Sequence, residues 1–254
     1  MYVEDAVARW SHPARHEVAA KHNPETGQLQ YYLARIADID EPIPAAIGDV
    51  IQNLRTSLDH IAYQLVLKDT NGIGVLYTKS GKKRKDPFVH VQFPIFDGPS
   101  DYESDKHGQI EGMLQPSIDA IDATEPYKTG NDTIWLIGKL NNIDKHRRLV
   151  MMGGCTSIDL GGIFARTISK GLFPRLAVPS FSAFVTDGEI RKAGDVLYTD
   201  GSPDAKFDAN LRFPPLVAFN EIGVIERKPV IKTLHEMVDL VDGVIIPGFE
   251  RCFV

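Results

Sequence analysis

Two polar clusters in this chain carry residue types that could do chemistry. The first is Asp49, Asn53, Arg55, Asp59 and His60; the second is Asn141, Asn142, Asp144, Lys145, His146, Arg147 and Arg148. An imidazole with a pKa near ~6.5 can take or give a proton at neutral pH. A guanidinium offers a planar donor fork that matches phosphate oxygens. Asp49, Asn53 and His60 are spaced four and seven apart, so they share one face of a helix. Arg55 and His60 sit about 140° apart around that helix and flank a groove. Arg55 and Asp59, four apart, can pair. A plainer reading fits the same residues: a surface Arg55–Asp59 ion pair, and a partly buried His60 satisfied by Asn53. Asn142 and His146 share a face and could meet the first cluster as a buried polar network, which must be satisfied throughout.

The elements that must position these residues follow from patterning. In residues 45–69, Ile47, Val50, Ile51, Leu54, Leu58, Ile61 and Leu65 recur at spacings of three and four, the mark of an amphipathic helix. Pro42 and Pro44 open it and Asn71-Gly72 stops it. A second helix, over 131–148, is capped by Asn131 or Asp132. Residues 1–14 read as a short helix or a loose lead-in. Residues 15–36 read as a hairpin turning at Asn23 to Gln28, with Leu29, Tyr31 and Leu33 alternating against Gln30, Tyr32 and Ala34. FVHVQFPIF predicts a strand, and 101–126 a helical stretch weakened by Gly108, Gly112 and Pro116. From Leu149 the texture changes to short strands: LVMMGGCTSIDLGG, LAVPSFSAFVTDG, GDVLYTD and DANLRFPPLVAFNEI, with Gly153-Gly154 and Gly161-Gly162 as turns. KPVIKTLHEMVDLVDGVIIPGF predicts a closing helix. The expectation is one α+β domain over 1–254, with a helix-centred part at 40–148 and a β-rich part at 149–254 that carries the C-terminal helix. Its sheet should be mostly antiparallel.

Composition narrows the partners. The 254 residues hold 28 Lys and Arg against 34 Asp and Glu, a net charge of -6, which disfavours a duplex DNA coat driven by phosphate neutralisation. Cations nevertheless gather locally: Lys79, Lys82, Lys83, Arg84 and Lys85 form a loop that could collect RNA. Cys155 and Cys252 are too few for a disulfide scaffold and read as free thiols. No apolar run suits a membrane span or a secretory leader, so a cytoplasmic chain without membrane contact is expected. His12 and His16, the one H-x-x-x-H pair, fall in a breaker-rich stretch, and no metal site or cofactor is expected. Neither a phosphate-binding GxxxxGK[ST] loop nor a GxSxG elbow occurs.

Gly48-Asp49-x-x-x-Asn53-Leu54-Arg55-x-x-Leu58-Asp59-His60, then Phe93-Pro94-Ile95-Phe96, then Asn142-x-Asp144-Lys145-His146-Arg147 resembles a pattern shared by uncharacterised bacterial proteins. It covers roughly residues 40–150. Arg55-x4-His60 is also similar, more distantly, to the R-x4-6-H signature of the HEPN superfamily, with Thr56 where Asn, Asp or His usually stands. That resemblance implies a compact helical core and a dimer. Many proteins of that superfamily are metal-independent RNases in toxin or anti-phage systems and others only bind nucleotides or partners, so the resemblance implies RNA cleavage or such binding. Arg55 would then hold the phosphate, and His60 would act as base or acid. Asn53 or Asp49 would orient the ring, and His146 and Arg147 would form a second shell or second pole. The alternative is a non-catalytic binding or assembly protein in which both clusters are structural.

Overall fold

The computed structural model describes residues 2–78, 80–155, 190–201, 205–206 and 213–253. It is a mixed α+β chain that divides into two compact units, each assembled from separated stretches. One comprises Met1–Ile43 and Val150–Val230, the other Pro44–Leu149 and Ile231–Val254. The hairpin thus belongs with the β-rich stretch, and the closing helix with the helical one.

The first unit opens with α1 (Val3–Trp10), which buries Ala6, Val7 and Trp10 on one face. The hairpin follows as β1 (Glu17–His22) and β2 (Leu29–Arg35), paired antiparallel. Asn23 makes the turn, its side-chain oxygen accepting from the N–H groups of Glu25 and Thr26. The expected alternation holds: Leu29, Tyr31 and Leu33 are buried with Cys155, Leu197 and Phe213. Burial pushes the Cys155 thiol up to about 11, so it packs as a small apolar group rather than a nucleophile.

β2 also pairs antiparallel with β4 (Val196–Asp200). A second antiparallel sheet has the order β3 (Met151–Cys155), β5 (Pro215–Glu221), β6 (Ile225–Pro229). Two readings from sequence change here. Gly153-Gly154 is not a turn but lies inside β3, because a Cβ at Gly153 would collide with the Trp10 ring and one at Gly154 with Ile190. β6 was not anticipated, since its Glu226, Arg227 and Lys228 are all exposed and give no alternation. The strand expected over LAVPSFSAFV, the Gly161-Gly162 turn and Lys79 lie outside the described residues.

The second unit is helical. The long helix α2 (Pro42–Asp69) buries Ile47, Ile51, Leu54, Leu58 and Leu65, and it ends where Asn71 and Gly72 both take positive φ. The expected 101–126 helix is two: α3 (Pro99–Gln109) and α4 (Gln115–Asp122). They break at Gly112, whose φ of +97 is one that side chains rarely adopt and where a Cβ would stand 3.0 Å from Val75 and 3.1 Å from Thr70. α5 (Asp132–His146) is capped by Asn131, which accepts from the Ile134 N–H. The chain closes with α6 (Val230–Leu240), a π turn (Val241–Ile245) and α7 (Ile246–Glu250). Phe249 of α7 meets Phe93 edge to face at 6.2 Å. Among the described residues no helix is long and apolar enough to cross a membrane.

α3 and α4 are tied by a buried charge. Lys106, 4 % exposed, places Nζ 2.9 Å from both carboxylate oxygens of Asp122 and 3.0 Å from Glu103, and lies 4.7 Å from the centre of the Tyr102 ring. The Tyr102 hydroxyl donates to the same Asp122 carboxylate. Burial first, and Asp122 after it, push the Tyr102 phenol far up, so it remains a donor.

Candidate functional site

FVHVQFPIF forms no strand; Phe93 to Phe96 run as irregular backbone apart from a single bridge between Phe96 and Tyr127. Irregular buried backbone needs partners for its polar groups. Side chains of α2 supply them. Arg55 Nη2 donates to the Phe93 carbonyl at 2.9 Å, and the Phe93 N–H donates to Asp59 Oδ1, also at 2.9 Å. The same Arg55 nitrogen lies 2.8 Å from that Asp59 oxygen. The helical pair therefore clasps both backbone groups of one residue. This is not a surface ion pair, since Arg55 is 9 % exposed. Burial pulls the Arg55 pKa down and the Asp59 charge opposes it.

The remaining motif residues part company. Gly48 of α2 lies directly under the Asp144 carboxylate of α5, where a Cβ would come within 2.7 Å of Oδ1. The first motif's glycine thus permits the close approach of the second motif's aspartate. Burial raises the Asp144 pKa, and the charge of Asp49 raises it further. Asp49, Asn53 and His60 are exposed, as are Asn142, His146 and Arg147. The buried network expected among Asn53, His60, Asn142 and His146 does not form, because all four face solvent.

Asn141 is the buried asparagine instead. It is 1 % exposed, and neither its Oδ1 nor its Nδ2 has a partner among the described residues. An unsatisfied buried amide is costly, and leucine has the same branching with a better helix propensity. Asn141→Leu should raise stability by about 1–2 kcal/mol. A thermal melt that moves down instead would mean that the amide has a partner in solution.

Arg55 and Asp59 also border a groove of about 520 Å³ within this unit. α3 contributes Asp101, Asp105 and Gln109, one face at successive spacings of four. α5 contributes Trp135, Gly138, Lys139, Asn142 and Lys145, and the FPIF segment with its flanks contributes Gln92, Ile95, Phe96 and Asp97. Gly138 lets Ile95 pack against the helix, since a Cβ there would come 2.9 Å from it. Asp97 accepts from the Trp135 indole N–H at 2.8 Å and from Lys139 at 2.7 Å. Those donors, Lys139 first, hold its carboxyl below the usual range.

Of the residues in the two clusters, the groove gathers Arg55, Asp59, Asn142 and Lys145; His60, His146, Asn53, Asp49, Asp144 and Arg147 do not line it. Sequence reading missed Asp97, Asp101, Asp105, Trp135 and Lys139. The four-residue spacing from Asp101 to Gln109 was visible, but nothing local said that α5 would face it.

Around the basic loop, Tyr77 is bridged to Lys83 and the Thr78 N–H donates to the Lys82 carbonyl. Lys82, Lys83 and Lys85 are exposed. Arg84 is not available to a polyanion, because it turns inward to pair with Glu111 and only a tenth of its side chain is exposed. Among the described residues no group of three or more His, Cys, Asp or Glu is placed to hold a metal ion. His12 Nδ1 accepts from Ala14, and both ring nitrogens of His16 bond backbone, to Trp10 and Ala37. Comparison with protein-family models, curated proteins and solved structures returns no match.

Proposed function

We propose that the helical unit is a non-catalytic binding module whose groove holds a polar ligand, and that Arg55 and Asp59 build this groove rather than cleave RNA. One observation carries the reading: Arg55 and Asp59 are committed to the backbone of Phe93, while His60 and His146 lie off the groove. A phosphate-clamping arginine needs its donor fork presented to the phosphate and an imidazole within hydrogen-bond reach, whereas Arg55 Nη2 is bound to Phe93, Nη1 is buried from solvent, and no histidine lines the groove. Trp135, Ile95 and Phe96 offer apolar surface to a ligand, and the amides and carboxylates fix its orientation.

A second reading keeps RNA as the partner. Asp49, Asn53 and His60 leave an exposed polar face on α2, and two copies meeting there would form a composite ribonuclease site in a homodimer. The two readings separate in one assay. Mixed RNAs are incubated, with metal chelated, with the wild-type chain, His60→Ala and Arg55→Ala, each checked for folding by circular dichroism. No cleavage by any of the three is expected. Cleavage by the wild type that folded His60→Ala loses would establish the ribonuclease and remove the binding reading.

A further inference from the structure

We infer that the groove takes an extended zwitterion of short-peptide size, its ammonium group held by Asp101 and Asp105 and its carboxylate by Lys145 and Asn142. This ligand class rests on the binding reading above.

The argument starts from charge. Four aspartates and three cations line the groove. Arg55 and Asp59 pair with each other, as do Lys139 and Asp97. Asp101 and Asp105 on α3 and Lys145 on α5 are left exposed and make no ion pair with a described residue. Carboxylates from one helix and an ammonium from another, bordering one cavity without meeting, match a ligand carrying both signs at separate ends.

A second observation points the same way. Arg55 is nine-tenths buried and lines this groove, yet its Nη1 has no acceptor. A buried donor without a partner is costly, and turning that nitrogen outward to meet a ligand carboxylate would remove the cost. A polyanion such as a nucleotide fits poorly, because four carboxylates repel it. A bare diamine leaves Lys145 and Arg55 unanswered, and a dicarboxylate leaves Asp101 and Asp105 so. The volume of about 520 Å³ suits two or three peptide residues rather than a single amino acid.

The probes are triglycine, N-acetyl-triglycine, triglycine amide, putrescine, glutarate and maltotriose. The readout is the indole N–H resonance of Trp135, which donates to Asp97 inside the groove. Triglycine should shift that resonance saturably, and each capped form should bind about tenfold more weakly, the loss of one charge-assisted contact. The double variant Asp101→Asn/Asp105→Asn should abolish the preference for the free amine. Lys145→Gln should abolish the preference for the free carboxylate. All three substituted residues are exposed, so the fold should be unchanged. Equal binding of capped and uncapped peptide, or stronger binding of another probe, overturns the zwitterion and leaves the binding reading standing. No shift with any probe overturns both.

Discussion

Lys106→Met should destabilise the helical unit by about 3 kcal/mol, near the low end for breaking a buried ion pair because Asp122 keeps a third of its side chain in water. Methionine preserves the apolar stem and removes only the ammonium group. Asp122 would then rely on the Tyr102 hydroxyl alone, with the Glu103 carboxylate nearby and no cation between them. Urea unfolding measures the loss as a lower midpoint at constant slope. The double variant Lys106→Met/Asp122→Leu should regain much of it, since removing both charges leaves neither stranded. A shift of the single variant below about 0.5 kcal/mol would show that the cluster is solvated and contributes as little as a surface pair.

Arg55→Ala should cost a similar amount, about 3 kcal/mol, through one carbonyl left without a donor and one carboxylate left without a cation. Its signature is local. The Phe93 amide, now bonded to Asp59, should lose protection from hydrogen exchange well before the core of α2 does. Arg55→Lys should recover only part of the loss, because an ammonium group is a point charge without the planar fork. If Arg55→Ala leaves stability and Phe93 exchange untouched, the clasp is not what holds FPIF. The guanidinium would then again be free for a ligand or a phosphate.

The long helix, the hairpin, the second helix and the closing helix were legible because each repeats a local rule: three-and-four spacing, period-two alternation, a capping Asn, a stopping Asn-Gly. FPIF was misread because its apolar residues fit a strand and its true partners, Arg55 and Asp59, are more than thirty residues upstream. β6 was invisible because a charged edge strand carries no alternation. At the site, the pairing of Arg55 with Asp59 could be read from their spacing, but its destination could not. Burial exchanged the neighbours Asn141 and Asn142, because one residue of helix rotation, about 100°, decides which faces the core. Asp101 and Asp105 carry no local signal of a site, since a groove needs a second helix that no local pattern supplies.

The interleaving of the two units bears on the order in which the chain is made. β2 is synthesised early, but its second neighbour, β4, follows roughly 160 residues later. At cellular elongation rates of about 5–20 residues per second, that gap lasts on the order of ten seconds or more. During it the nascent hairpin presents an open edge, with Leu29, Tyr31 and Leu33 lacking the Leu197 and Phe213 that later cover them. The same interval contains all of α2 to α5. That edge therefore stays unpaired on the ribosome while one half of the sheet waits for the other.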